Sequence, residues 1–142
     1  MLVNNAGVFF QGEISTEEQG KLEFMMNTNL YSAYHLTRGV VTGMKDQKSG
    51  DIFVRVLTQV EALTARRSLP CLMVLREELK SFAMVISVLP GATYTASWDG
   101  IDLLKDRFIK PEDVAEAIWS AYSLSKNSVI EDLTIRPQFG DI

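Results

Sequence analysis

A chain of 142 residues that is 46% hydrophobic and 23% charged has the size and balance of a single globular domain. Its formal net charge of -4 disfavours a nucleic-acid surface, because phosphate binding needs clustered lysine and arginine. One cysteine and one histidine make neither a disulfide nor a zinc cluster, and no apolar run reaches the roughly 20 residues that span a bilayer. We therefore expect one cytoplasmic domain over residues 1–142, without a metal, nucleic-acid or membrane partner.

The first part of the chain predicts a strand followed by one long helix. "MLVNNAG" is typical of a buried strand that ends in a glycine turn. Ser15 to Glu18 predicts an N-cap and an acidic first turn. From Glu17 to about Met44, apolar residues recur at intervals of three and four, which predicts a continuous core stripe. The stripe comprises Leu22, Met25, Met26, Leu30, Ala33, Leu36, Val40 and Met44.

The rest of the chain alternates strands and helices, which is typical of parallel βαβ units. "DIFVRVL" predicts a strand, "LMVLREELKSF" a helix, and "AMVISVLPGATYT" a strand that Pro90-Gly91 turns. Pro111 opens a helix in "KPEDVAEAIWSAYSL", and "SVIEDLTIRP" predicts the closing strand. The fold class is therefore α/β, with a parallel sheet that corresponds to the second half of a doubly wound, Rossmann-like fold.

Five segments, in this order, resemble the short-chain dehydrogenases/reductases. They are "LVNNAG", "MMNTNLYSAYHLTR", "LREELK", "SVLPGATYT" and "EDLTIRPQFGDI", and together they extend over nearly the whole chain. The resemblance implies an oxidoreductase that uses NAD or NADP and an Asn-Ser-Tyr-Lys tetrad to transfer a hydride between the cofactor and a small carbonyl or alcohol. In such a site a tyrosine transfers the proton, a lysine four residues later lowers its pKa, and a serine holds the carbonyl oxygen.

The resemblance assigns roles to individual residues. Asn29 corresponds to the tetrad asparagine, although an asparagine whose side chain is satisfied within its own helix would look the same. The alternative for Gly7 and Gly91 is that they are ordinary turn glycines without a cofactor contact. The implied cofactor contacts are Asn4, Ala6 and Gly7 on the adenosine side, and Pro90, Gly91, Thr93 and Thr95 on the nicotinamide side.

Two family elements are missing from these 142 residues. The glycine-rich turn that seats a pyrophosphate on a helix N-terminus does not occur. After "DIF" the family has a serine and then a Tyr-x-x-x-Lys, whereas this chain reads "VRVLTQVEALTARRSLPCLM". A Tyr-x-x-x-Lys does occur at Tyr122 to Lys126, but it follows Pro90-Gly91 instead of preceding it. We interpret it as a helix residue on an apolar face and a solvated lysine.

The unusual segment has an explanation in the genetic code. An amino acid largely fixes the first two bases of its codon, so the frame that joins the last base of one codon to the first two of the next is tightly restricted. From the Leu57/Thr58 junction to the Cys71/Leu72 junction that frame permits Tyr-Pro-Ser-Gly-Gly-Ala-Tyr-Ser-Ala-Ser-Lys-Phe-Ala-Leu-Leu. Its tyrosine and lysine have the family spacing. We therefore expect that Val54 to about Met73 is translated out of frame.

A diverged loop with Arg66 and Arg67 on its solvent face is the alternative to a frameshift. In both cases we expect this chain to be inactive by itself and poorly ordered around Val54 to Met73. We also expect an exposed apolar edge at the first strand, which would make the chain prone to self-association. Cys71 lies in the same tract, and we interpret it as incidental. A non-catalytic fragment that docks on an intact relative, or on a second copy, through the Glu17 helix and the "LREELK" helix is the second class of function.

Overall fold

The computed structural model describes residues 1–10, 13, 15–56, 65–98 and 104–140. Four strands alternate with helices along the chain, as the sequence predicts. A π-helical turn over Asn27–Tyr31 joins the first two helices. The strands are β1 (Leu2–Asn4), β2 (Gly50–Arg55), β3 (Ala83–Pro90) and β4 (Asp132–Ile135), and the helices are α1 (Lys21–Met26), α2 (Ser32–Gln47), α3 (Ala65–Leu79) and α4 (Pro111–Tyr122).

The four strands form one parallel sheet in the order β1-β2-β3-β4. β2 and β3 are buried on both faces, which explains why their sequences are nearly continuous apolar runs. β1 pairs only with β2 among the described residues, and its Val3 is 40% exposed. The predicted α/β class and parallel sheet are confirmed, and the predicted apolar edge is present at β1.

The helices cover the two faces of the sheet unequally. On one face, α2 and α3 pack on a core that includes Ile52, Val54 and Val85. On the other face, α4 packs on a core that includes Phe53 and Ile86. All three crossovers step in the same direction across the sheet, so the α4 connection has the opposite hand to those of α2 and α3. Parallel crossovers are right-handed in about 98% of cases, which is why the sequence pattern did not predict this arrangement.

The long helix differs from its prediction at its start and in its buried face. It begins at Lys21 after Gly20, whose φ of 92° is accessible to glycine, and not at the predicted N-cap near Ser15. The π turn then inserts an extra residue and changes the phase of the helix. α2 therefore turns Thr37 and Val41 toward the sheet, while Leu36 and Val40 of the predicted stripe are exposed, as is Leu22 in α1.

Arg76 on α3 connects that helix to β3 and to the start of β4. Its Nε donates to the carbonyl of Val85 at 2.9 Å, and one terminal nitrogen donates to Ser87 Oγ and to Asp132 Oδ1, both at 2.8 Å. The same nitrogen also donates to the carbonyl of Glu131. The hydrogen bond from Arg76 holds the pKa of the Asp132 carboxyl below its ordinary value. One side chain thus fixes α3 against two strands.

A buried carboxylate lies nearby, at the amino end of β2. Asp51, the second residue of β2, is buried and accepts a hydrogen bond from the backbone N–H of Met84 at 3.1 Å. Lys126 Nζ lies 3.4 Å from the other carboxylate oxygen. The lysine that we expected to be only solvated therefore pairs with a buried acid. This pair needs no catalytic role to explain its presence.

Candidate functional site

The carboxyl ends of β1, β2 and β3 meet at one edge of the sheet. The segment after β1 begins with Asn5, and the loop after β3 begins with Gly91, so the two segments lie on either side of the end of β2. Ligands of open α/β sheets bind at this edge. Residues that the resemblance assigns to the two ends of a nicotinamide cofactor therefore follow strands that share this edge.

The loop after β3 is held by backbone hydrogen bonds to a neighbouring segment. Gly91 N–H donates to the carbonyl of Ile135 at 2.8 Å, while Ile109 N–H donates to Ala92 and Tyr94 N–H donates to Ile109, both at 2.9 Å. The Phe108 ring packs edge-on against Tyr94 and Trp98. The Thr93 hydroxyl donates to the carbonyl of Gly91 at 3.0 Å. The loop is consequently a fixed element with its own aromatic support.

A cavity of about 150 Å³ opens beside this loop. It brings together Asn5 from the segment after β1, Arg55 from the end of β2, and Pro90, Thr93 and Thr95 from the end of β3 and its loop. Its remaining walls are apolar side chains of the three strands and of α4. Three of the seven predicted cofactor residues thus line one cavity.

The other four predicted cofactor residues lie around the same edge without lining the cavity. Asn4 is buried, and its amide donates to the Thr37 hydroxyl of α2 at 3.1 Å, which ties β1 to that helix. Ala6 is exposed, while Gly7 and Gly91 are half-buried. Their backbone is therefore accessible at the edge, whereas the Asn4 side chain is directed into the structure.

Asn29 lies in the π turn and holds the segment after β1 at two points. Its Nδ2 donates to the carbonyl of Val8 at 2.9 Å, and its Oδ1 accepts the Val8 N–H at 2.8 Å. The partner is thus a distant backbone segment, and the alternative of an asparagine satisfied within its own helix is wrong. Asn29 thus fixes Val8, the residue that follows the Asn4-to-Gly7 segment, and its assignment as the tetrad asparagine stays a prediction.

Replacing Asn29 with alanine is expected to lower the free energy of unfolding by roughly 1–3 kcal/mol, because two backbone groups of Val8 lose their partner. Urea unfolding followed by circular dichroism measures the loss. Asn27→Ala is the matched control, since Asn27 is exposed in the same π turn and its side chain forms no hydrogen bond within the described residues. Equal losses in the two variants would contradict the two-point contact.

The Tyr-x-x-x-Lys at Tyr122 to Lys126 lies far from this edge. The Tyr122 ring packs against Trp119 and on the core under α4, and Lys126 reaches Asp51 at the amino end of β2. The position where the alternative frame would encode the catalytic lysine, between Arg67 and Ser68, falls instead in the first turn of α3. The tyrosine position, between Leu63 and Thr64, lies outside the described residues.

Our sequence interpretation did not single out two arginines, Arg55 at this edge and Arg76 at the amino side of the sheet. Arg55 interrupts the apolar run of β2, and a charge inside a buried strand is a signal of a special environment. Arg76 had no such signal, because an arginine on a predicted helix is usually solvated. Within the described residues, no group of three or more histidine, cysteine, aspartate or glutamate side chains is arranged to hold a metal. No helix of the described part is long and apolar enough to cross a membrane.

Comparison with known proteins agrees with the fold. The sequence model of the family described as short chain dehydrogenase matches residues 1–60. A sepiapterin reductase of Chlorobaculum tepidum is 34% identical over 99% of this chain, and the chain spans 62% of the length of that relative. Serine dehydrogenase from Escherichia coli superposes with a TM-score of 0.77 at 25% identity, covering 94% of this chain and 62% of that one.

An alcohol dehydrogenase from Thermococcus sibiricus, solved with 5-hydroxy-NADP, has the same fold at 18% identity. Its TM-score is 0.83, and the match covers 99% of this chain and 64% of that one. These structures share the parallel sheet and its order of elements with the described residues. By sequence and by fold, the chain is thus related to the short-chain dehydrogenases/reductases.

Proposed function

We propose that these 142 residues carry the nicotinamide side of an NAD(P)-dependent oxidoreductase site for a small carbonyl or alcohol. The observation that supports this most is the meeting of Asn5, Pro90, Thr93 and Thr95 at one cavity on the carboxyl edge of the sheet. The Thermococcus sibiricus relative was solved with a derivative of NADP. When bound, such a cofactor supplies the hydride.

The described residues fit one part of this cofactor. The loop from Gly91 to Thr95 is held by backbone hydrogen bonds and borders the cavity, and Ala6 and Gly7 leave backbone accessible on the neighbouring segment. No glycine-rich pyrophosphate turn occurs in the 142 residues, so this chain alone would make only nicotinamide-side and adenosine-side contacts. We therefore propose weak binding and no hydride transfer by the chain as written, because the Tyr-x-x-x-Lys of the described residues, Tyr122 to Lys126, lies far from this edge.

Titration of the isotope-labelled chain with NADP⁺ tests this proposal. We expect millimolar binding, with NMR shift changes concentrated at Gly7, Gly91 and Thr93. Amides of Lys126 and Ser128, at the opposite end of the sheet, are the internal control. Absence of any change, or equal changes at both ends, would contradict the assignment of the edge.

A second candidate function, association with another subunit, is supported by the outer surface of α1 and α2. Tyr34 and Leu36 are 54% and 55% exposed, and Val40, Leu22 and Phe24 are exposed as well. Space is open where a Cβ would stand on Gly39 and Gly43, so another helix has room to approach closely. We propose that the chain forms homo-oligomers, or binds an intact relative, through this outer surface of α1 and α2.

Replacing Leu36 with glutamate is expected to shift the chain from oligomer to monomer in analytical ultracentrifugation, since a charge at the centre of an apolar contact is desolvated without a partner. Glu23→Leu on α1 is not a suitable control, because it would enlarge the apolar surface. Arg38→Gln, an exposed change on the same helix, should leave the oligomeric state as it is. A monomeric parent chain would refute this candidate.

A further inference from the structure

Arg55 is a half-buried cation without a counter-charge in the described part of the protein. It is the last residue of β2, and its guanidinium forms no hydrogen bond or ion pair with the described residues. Arg76, in contrast, donates to several acceptors and pairs with Asp132. Burial also lowers the pKa of the Arg55 guanidinium. Partial burial lowers the local screening of this charge and strengthens its attraction to an added anion, so this position favours one.

The surroundings of Arg55 restrict what this anion can be. Among the described residues that line the cavity, Arg55 alone is charged, and the walls near it include Val3, Phe53, Val88 and Ile118. The Thr93 hydroxyl already donates its proton to the Gly91 carbonyl, so it has none to give a ligand. The described lining holds a single cation, whereas a polyphosphate carries several negative charges. A single anionic group on an apolar body fits better.

The volume of the cavity limits the size of the apolar part of the ligand. Its volume of about 150 Å³ equals that of an engineered apolar cavity that takes up benzene. A guanidinium binds a carboxylate through two parallel hydrogen bonds, which adds direction to the charge attraction. We propose that this cavity binds a small aromatic or branched aliphatic monocarboxylate, with its carboxylate on Arg55 and its apolar body between β1, β2 and α4. The carboxylate would share this cavity with the nicotinamide side of the proposed cofactor, so the two ligands are expected to compete there.

Benzoate is the probe for this site. Titration of the whole chain, followed by ¹⁵N NMR and by thermal unfolding, should give saturable shifts at Arg55, Asn5 and Val88 and a rise in Tm with benzoate concentration. Benzamide has the same shape without the charge, and acetate has the charge without the ring. Each should bind at least about tenfold more weakly than benzoate.

Variants separate the site from general anion binding. Arg55→Gln should abolish the benzoate response, and it should leave Tm unchanged or raised, because it removes an uncompensated charge. Arg38→Gln, an exposed arginine of α2, should keep the response. Benzoate shifts that persist in Arg55→Gln, equal binding of benzamide, or no saturable shift at all would each overturn the proposal. NADP⁺ shifts at Gly7 and Gly91 that remain in Arg55→Gln would show that the proposed cofactor binding does not depend on Arg55, so the two proposals can fail separately.

Discussion

Replacing Arg76 with alanine is expected to lower the free energy of unfolding by roughly 2–4 kcal/mol, the largest loss that we expect from any charged residue of the chain. Ser87 is completely buried and would lose the Arg76 donor, as would the carbonyl of Val85. Asp132 contributes less, because half of its side chain is exposed and solvent screens the pair. The connection of α3 to β3 and β4 would be lost together with these bonds.

Lys80→Ala is the matched control for Arg76→Ala. Lys80 also pairs with a carboxylate, that of Glu77, but both side chains are largely exposed. Its loss should cost no more than about 0.5 kcal/mol in the same urea titration. If the two alanine variants unfold at the same urea concentration, the role of Arg76 as a connection between elements is wrong.

Reading the gene in the neighbouring frame between the codons of Leu57 and Leu72 is expected to raise the reduction of small carbonyl compounds by NADPH by about 10²- to 10⁴-fold. This range is the usual contribution of one general acid, here the tyrosine that the other frame supplies. Both proteins should be produced with all coding sequence that precedes Met1 in the gene, so that they differ only in this segment. The rate of NADPH oxidation at 340 nm measures the effect.

A phenylalanine in place of the restored tyrosine is the control for that gain. It keeps the ring and the packing and removes only the hydroxyl, so it should return the rate to that of the frame shown here. Comparable activity of the two frames, or full activity of the phenylalanine variant, would show that the missing tyrosine is not what separates this chain from an active enzyme.

The sequence predicted the sheet well because buried parallel strands leave a strong pattern. β2 and β3 are nearly continuous apolar runs, and Pro111 marks the first residue of α4. The face of α2 was predicted less well. A π turn depends on the contact of Asn29 with Val8, which lies 21 positions earlier, and no local pattern signals the resulting change of phase.

The candidate site was predictable in position but not in its chemistry. Pro90 to Thr95 could be placed at the carboxyl edge because the strand before it was clear. Whether Arg55 lines that cavity depends on the side of β2 that its side chain faces and on the packing of α4 against that side. The unusual hand of the α4 crossover is itself a tertiary property, so the sequence alone did not bring Arg55 and Ile118 together.

The nucleotide sequence of the transcript, from upstream of Met1 through the codon of Leu75, tests the central claim most directly. We expect the codons from Leu57 to Leu72 to read Tyr-Pro-Ser-Gly-Gly-Ala-Tyr-Ser-Ala-Ser-Lys-Phe-Ala-Leu-Leu in the neighbouring frame. That result would make the segment a displaced catalytic sequence of a short-chain dehydrogenase/reductase. A stop codon, or an unrelated peptide without the tyrosine and lysine in that frame, would contradict the claim and favour a diverged segment.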